Sequence, residues 1–222
     1  MKKALNKLTS DDYQEGYELS LTNGKKHISC ATLLSENEEY GFAISHLILG
    51  SEELIKALIL LYKSSDNSFY SEKIDEIFKY HGTKHELFKE MLQVFSNDFF
   101  NNWLQNIQNK MYGLNSKNKK GVKDSKFVDV GLFVPTIYPE AKIEENELTF
   151  FLNFFKGGKE SLANKEKNNG LYVRYNKKWY TPQEFKLEDF LKIQKIVNWF
   201  LFVIQKFNEL QEFNMKLKGM KQ

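Results

Sequence analysis

The residues best suited to chemistry stand in two short segments, "GSEELIKALILLY" at 50–62 and "KYHGTKHELFK" at 79–89. The first places two glutamates and a lysine inside an apolar helical pattern. The second places two histidines and a lysine near the start of a long helical pattern. Imidazole titrates near neutral pH, so a histidine can both accept and release a proton, whereas lysine and carboxylate supply fixed charge. This combination is typical of a general acid–base site.

Helical geometry separates the two adjacent glutamates, Glu52 and Glu53. Residues that share the helix stripe of Glu53 follow one another at steps of three and four: Ala43, His46, Gly50 and Ala57. Because most of these are small, we expect a second helix to approach Glu53 closely, so that its carboxylate is partly desolvated and needs a partner. Glu52 lies about 100° further round and is expected to pair with Lys56 one turn later. The alternative is that all three form an ordinary solvated strip.

His81 and His85 are four residues apart, with Lys84 between them. Histidine pairs at this spacing can bind a metal ion on one helix face. The metalloprotease pattern is absent, however, because no glutamate lies between them and Gly82 weakens the helix. Proton transfer by one histidine is therefore favoured, and we predict neither metal ligands nor a cofactor. The alternative is that these are surface or capping histidines.

The composition bounds the class of protein. A chain of 222 residues with 41% hydrophobic residues can bury a substantial core, and its net charge of +3 does not by itself indicate nucleic-acid binding. The single cysteine, Cys30, excludes an internal disulfide and is expected to pack between helices, given its small and apolar neighbours. The start of the sequence lacks the apolar core of a signal peptide, and "IVNWFLFVI" is shorter than a membrane span. We expect a cytoplasmic protein with no membrane association.

Almost every segment with a clear period has the period of a helix. We predict helices over about 11–34, 36–65, 70–80, 83–112, 145–155 and 183–217. The segment at 157–170 is rich in glycine and asparagine and is expected to be a loop, and "GLYVRYNKKWYTP" at 170–182 is expected to form a small β-hairpin. The predicted fold is all-α, a helical bundle forming a single domain over 1–222. It has a lysine-rich insertion at about 113–170 and a hairpin before the C-terminal helix.

Lysines are the candidate phosphate-binding residues. Three of them, Lys117, Lys119 and Lys120, stand in the lysine-rich stretch "NSKNKKGVKDSK", and Lys79 precedes His85 by six residues. Lysine-rich loops can contact phosphate groups, although most such loops are only solvated.

In their order, these motifs resemble the AbiV-like abortive infection proteins. The matching elements are Ala43 with "EELIKA" at 52–57, then His81 with Lys84, then "GLYVRY" at 170–175 followed by Pro182. The resemblance covers roughly residues 15 to 185. It implies a HEPN-like helical bundle and a bacterial antiphage protein that arrests the infected cell by acting on RNA or on the translation machinery.

HEPN proteins typically dimerise and often cleave RNA at the dimer interface. The resemblance therefore implies a homodimer, an RNA or ribosome-associated target, and a phage-encoded protein as activator. It also makes five residues candidates for one catalytic site: Glu53, Lys56, His81, Lys84 and His85. In that site a histidine moves protons, the lysines neutralise charge and the glutamate orients one of these groups.

The sequence departs from the common HEPN ribonuclease pattern, which is an arginine followed four to six residues later by a histidine. The only arginine, Arg174, has no histidine after it. Lys79 with His85 has a comparable spacing, but lysine lacks the bidentate grip of guanidinium on phosphate. Two alternatives therefore stay open: a non-catalytic protein that inhibits translation or a phage product by occupancy, and a metal-dependent hydrolase using both histidines and a carboxylate.

Overall fold

The computed structural model describes residues 8–64, 74–96, 145–155 and 161–219. Within these residues the helices are α1 (Ser10–Glu36), α2 (Tyr40–Ser64), α3 (Ile74–Lys79), α4 (His81–Ser96), α5 (Glu145–Phe154), α6 (Leu162–Leu171) and α7 (Leu187–Gly219). A two-stranded hairpin of β1 (Arg174–Asn176) and β2 (Lys178–Tyr180) and a 3-10 turn (Pro182–Glu184) separate α6 from α7. The all-α prediction, with a small hairpin before the C-terminal helix, is confirmed.

Helices α1 and α2 form an antiparallel pair. Helix α1 starts at a capping box, in which the hydroxyl of Thr9 accepts from the backbone N–H of Asp12 and the Asp12 carboxylate accepts from the backbone N–H of Thr9. The pair is close at Gly24 and Gly50, where a Cβ added to Gly24 would lie 3.4 Å from the Gly50 carbonyl oxygen. Cys30 of α1 is exposed, so the prediction that it packs between helices is wrong.

Helix α2 carries the centre of the core. Apolar side chains along its length are fully buried, because α1, α6 and α7 cover different sides of it. The core continues as an aromatic cluster in which the ring of Phe88 from α4 lies 4.3 Å from that of Phe155 and 4.4 Å from that of Phe200 in α7. Helix α4 is thereby fixed against the bundle, with its first turn directed towards α2.

The predicted loop at 157–170 is wrong, because most of this segment is helix α6. Ser161 caps the helix by accepting from the backbone N–H of Asn164 at 3.1 Å. Gly170 lies so close to α2 that an added Cβ would overlap the carbonyl oxygen of Gly41. Ser45 of α2 also donates a hydrogen bond to the carbonyl of Lys167 at 2.8 Å. These tertiary contacts stabilise a helix whose intrinsic propensity is low.

The hairpin forms as predicted, with Tyr175 opposite Trp179 and Lys177 at the turn with a φ of 61°.

The predicted helix at 83–112 begins at His81 and is described as far as Ser96; its remainder lies outside the described residues. Most of the predicted insertion, including Lys117, Lys119 and Lys120, also lies outside them. Among the helices that the structure describes, none has the length and apolar character needed to cross a bilayer.

Candidate functional site

The candidate site lies between α2, α4 and α6. The first half of α2 faces α6 through one stripe of residues. Gly41 lies against Gly170, Ser45 contacts the Lys167 carbonyl, and Glu52 contacts the Lys167 side chain. The first turn of α4 closes the site from a third direction. The site is therefore built by three helices that are far apart in the sequence.

The Glu52 carboxylate is the centre of this site and is only 3% exposed. Its Oε1 lies 2.8 Å from Nζ of Lys167 and 3.1 Å from Nε2 of His85. Its Oε2 lies 2.5 Å from Nδ1 of His81 and 3.4 Å from Nζ of Lys84. We call these five residues the Glu52 cluster.

The Glu52 carboxylate is ionised. Burial alone raises the pKa of a carboxyl group, but the hydrogen bond from His85, together with the charge and hydrogen bond of Lys167, outweighs this effect and holds the pKa of Glu52 well below its usual range. An ionised carboxylate can only accept hydrogen bonds. Each nitrogen that faces Glu52 therefore carries a proton.

His85 is neutral, and its proton is on Nε2. Burial lowers the pKa of this fully enclosed histidine. Its Nε2–H donates to Glu52, and its Nδ1 lies 2.8 Å from the hydroxyl of Ser161. Because that hydroxyl accepts from the N–H of Asn164, its own hydrogen is available for Nδ1. The cap of α6 thereby fixes the tautomer of His85.

His81 is the member of the cluster that meets solvent, with 53% of its side chain exposed. Its Nδ1–H donates to Glu52, so in the neutral ring the lone pair is on Nε2. This Nε2 has no hydrogen-bond partner among the residues that the structure describes. Nζ of Lys167 lies 3.2 Å from Nδ1 and places a positive charge beside the ring. The arrangement is an oriented imidazole base that faces outward from a buried carboxylate.

The cluster carries an excess of positive charge. One carboxylate faces two lysines, Lys84 at 7% and Lys167 at 4% exposure. The cluster therefore carries at least one positive charge in excess. A partly desolvated positive charge beside a base suits a reaction in which negative charge develops on a substrate.

The structure brings together His81, Lys84 and His85 but not Glu53 and Lys56. Nζ of Lys56 lies 2.5 Å from Oε1 of Glu53, and both side chains are partly open to solvent. Because Lys56 pairs with Glu53, the predicted Glu52–Lys56 pair is wrong. The small residues around Glu53 do admit a second helix, but that helix is α1 and the cluster is on the α6 side. Glu52 therefore replaces Glu53 as the candidate carboxylate.

Besides Glu52, two residues were not anticipated from the sequence: Lys167, which belongs to the Glu52 cluster, and Ser161, which contacts His85. Both belong to the segment predicted as a loop. A signal was present, because serine is a good N-cap and Ala163, Lys167 and Gly170 recur at helical steps. Lys79, a predicted RNA-binding residue, is exposed at the end of α3 and contacts no member of the cluster in the described part of the chain.

The remaining histidines pair with each other between α1 and α2. Nδ1 of His27 lies 3.1 Å from Nδ1 of His46, and burial lowers the pKa of both. Over the described ranges, no group of three or more His, Cys, Asp or Glu side chains is placed to hold a metal ion.

Comparison with known proteins identifies one family. The family model described as AbiV, of the HEPN class, matches residues 12–199, a range that contains every residue of the Glu52 cluster. No curated protein and no solved structure gives a match. The match covers most of the chain and points to antiphage defence by abortive infection. The chain belongs to the AbiV family of HEPN proteins.

Proposed function

We propose that this chain is an abortive-infection effector that cleaves RNA of the translation machinery, with the Glu52 cluster as its active site. The observation that carries the proposal is the pairing of the buried, ionised Glu52 with His81. That carboxylate holds Nδ1–H of a half-exposed imidazole and leaves Nε2 facing outward. This geometry orients Nε2 of His81 as a base towards the proton of a substrate bound at the protein surface.

The reaction that fits these groups is transesterification within RNA. Nε2 of His81 takes the proton of a ribose 2′-hydroxyl, whose oxygen forms a bond to the adjacent phosphorus. The bond from phosphorus to the 5′-oxygen then breaks, and that oxygen takes up a proton. Lys84 and Lys167 favour the additional negative charge on the phosphorane. The products are a 2′,3′-cyclic phosphate and a 5′-hydroxyl end, and the step needs no metal ion.

A homodimer supplies the second proton-transfer group. Transesterification needs a base and an acid, but His81 is the one imidazole of the cluster that is open to solvent, because His85 is enclosed. Two chains related by a twofold axis provide two such groups. We therefore propose that the cleaving species is a dimer and that the second His81 protonates the leaving oxygen.

The hairpin provides a surface for single-stranded RNA. Tyr175 and Trp179 face each other across the strands with ring centroids 5.4 Å apart, and each is 65% exposed. Exposed aromatic rings stack on bases of any sequence, and nearby lysines such as Lys177 attract the phosphate backbone. The hairpin follows directly from α6, the helix that supplies Lys167.

The deciding experiment uses His81→Ala, because this side chain is exposed and its removal is compatible with folding. The wild-type protein should arrest growth when a phage-encoded activator is present. RNA from those cells should carry new 5′-hydroxyl ends and 2′,3′-cyclic phosphates, whereas His81→Ala should give neither. Glu53→Gln is the matched control, since Glu53 pairs with Lys56 outside the cluster. Growth arrest with intact RNA would refute the nuclease assignment.

A second candidate function is inhibition by occupancy without turnover. The observation in its favour is that Lys84 and Lys167 are both enclosed and directed at Glu52, as in a polar network that fixes helix register. This candidate predicts that His81→Ala keeps full toxicity and that inhibition follows the ratio of protein to target. Measuring translation in an extract at increasing protein concentration separates the two functions.

A further inference from the structure

A cavity of about 380 Å³ lies where α5, α6, the 3-10 turn and the start of α7 meet. Aromatic rings from four positions contribute to its wall: Phe150, Phe154, Tyr180 and Phe185. Its volume falls within the range of small-molecule sites, which combine an apolar wall with a few polar groups. No member of the Glu52 cluster lines it. The cavity is therefore separate from the proposed active site.

Asn169 of α6 lines the cavity, and the oxygen of its side-chain amide accepts no hydrogen bond. The side chain is only 6% exposed, and its Oδ1 has no hydrogen-bond partner. Its Nδ2 donates to Oε2 of Glu166 at 3.4 Å, a long hydrogen bond that distinguishes the amide nitrogen from the oxygen but holds the amide only weakly. A buried carbonyl oxygen without a donor is unfavourable and uncommon in native proteins. An occupant of the cavity with an N–H group would satisfy it after a small rotation of the amide.

The charged residues on the wall limit the charge that a ligand can carry. Lys165 and Lys192 line the cavity and have no ion-pair partner among the described residues. The same wall carries three carboxylates, Glu166, Glu184 and Asp189. Two lysines against three carboxylates give the wall a formal charge of −1, so it favours an uncharged ligand over an anionic one.

We propose that this cavity binds a nucleoside whose base carries an exocyclic amine. The flat base lies among the aromatic rings, and its amine donates to Oδ1 of Asn169. Uncharged planar rings alone would fill the space but would leave Oδ1 without a donor.

Helix α6 connects this cavity to the Glu52 cluster. Its residues Leu162, Lys165, Glu166 and Asn169 recur at helical steps and face the cavity. The opposite stripe carries Lys167, whose Nζ contacts Glu52. A ligand in the cavity therefore packs against the helix that positions a member of the cluster, although binding itself does not depend on the function proposed above.

The test is titration calorimetry on the full chain with adenosine, cytidine, guanosine and their 5′-monophosphates at millimolar concentration. We expect at least one amino-bearing compound to bind, and its analogue without the amine (purine riboside in place of adenosine) to bind about tenfold more weakly. The monophosphates should bind no more tightly than their nucleosides, because the wall has one more carboxylate than lysine. Absence of binding by every compound would overturn the proposal.

Variants locate the binding in the cavity. Asn169→Leu removes the acceptor and should weaken binding about tenfold or more, whereas Asn168→Ala, which alters the neighbouring asparagine outside the wall, should not. Ile193→Trp fills the cavity from α7 and should also weaken binding. It replaces Asn169→Leu as the test if that variant does not fold. His81→Ala should bind as the wild type does, even if RNA cleavage is never observed. Unchanged binding by both Asn169→Leu and Ile193→Trp would place the ligand elsewhere and refute the assignment.

Discussion

Replacing Glu52 by glutamine should destabilise the protein strongly even though the two side chains have nearly the same volume. The change creates no cavity, so its effect comes from charge and hydrogen bonding. Lys84 and Lys167 would stay enclosed while facing a neutral amide. The new NH₂ group would also point at nitrogens that are themselves donors, at His81 or His85. Both lysines thus lose their counter-charge, and one of the two histidines loses its acceptor.

The expected loss is about 3–5 kcal/mol, the range for removing one partner of a buried ion pair. A typical total stability is about 5–15 kcal/mol, so this is a large fraction of the whole. In a chain of this size each kcal/mol lowers the melting temperature by roughly 2–4 °C, which gives a decrease of about 6–20 °C. Replacing Lys167 by methionine in the same variant removes one of the orphaned charges and should recover part of the loss.

Thermal unfolding followed by circular dichroism measures the effect at neutral pH. Glu53→Gln is the matched control because it changes the adjacent residue in the same way. The pair of Glu53 with Lys56 is partly open to solvent, with 18% and 15% of the side chains exposed, so its loss should be below about 1 kcal/mol. Equal melting temperatures for the two variants would show that Glu52 is not enclosed among the lysines, and the site would have to be abandoned.

Three further outcomes are expected. Burial holds the pKa of His85 below its ordinary value of 6.5, so below that pH the unfolded chain binds a proton that the folded chain does not. Stability should therefore fall as the pH decreases, and urea unfolding should have a lower midpoint at acidic than at neutral pH; equal midpoints would contradict this. Gly170→Ala should cost about 1–3 kcal/mol or more, because its Cβ meets backbone, whereas Gly24→Ala meets mainly a leucine side chain and should cost less in the same assay. Trp179→Ala should weaken binding of fluorescent single-stranded RNA by about 1–3 kcal/mol without changing the melting temperature, while Leu19→Ala, equally exposed on α1, should bind as the wild type does.

The elements that the sequence predicts well are those whose signal is local. Helix α1 was expected over 11–34 and spans Ser10–Glu36, because the helical period is contained in the segment itself. The hairpin was anticipated for the same reason. Helix α6 was missed because its stability comes from contacts with α2 that are over a hundred positions away in sequence, such as Ser45 with Lys167. No local window contains that information.

The site was predicted in its residue types but not in its carboxylate. His81 and His85 could be selected because the sequence has four histidines, and Lys84 because it stands between these two, and the structure places all three around one group. The choice between Glu52 and Glu53 required knowing which helix covers each side of α2. Small residues indicate where a helix approaches closely, and here that helix is α1 at Gly50. The polar site formed on the other side, where α6 carries a lysine.

The burial of the lysines also constrains how RNA would be held. Lys84 and Lys167 are directed at Glu52 and are almost inaccessible, so they act on a substrate through their field and not through direct phosphate contacts. The sequence offers no arginine in this cluster to grip a phosphate bidentately. Under the proposed function, RNA binding would come from exposed groups such as Lys79 and the hairpin around Trp179. Proton transfer and RNA binding are thus assigned to different surfaces, which is why variants of His81 and Trp179 should separate the two steps.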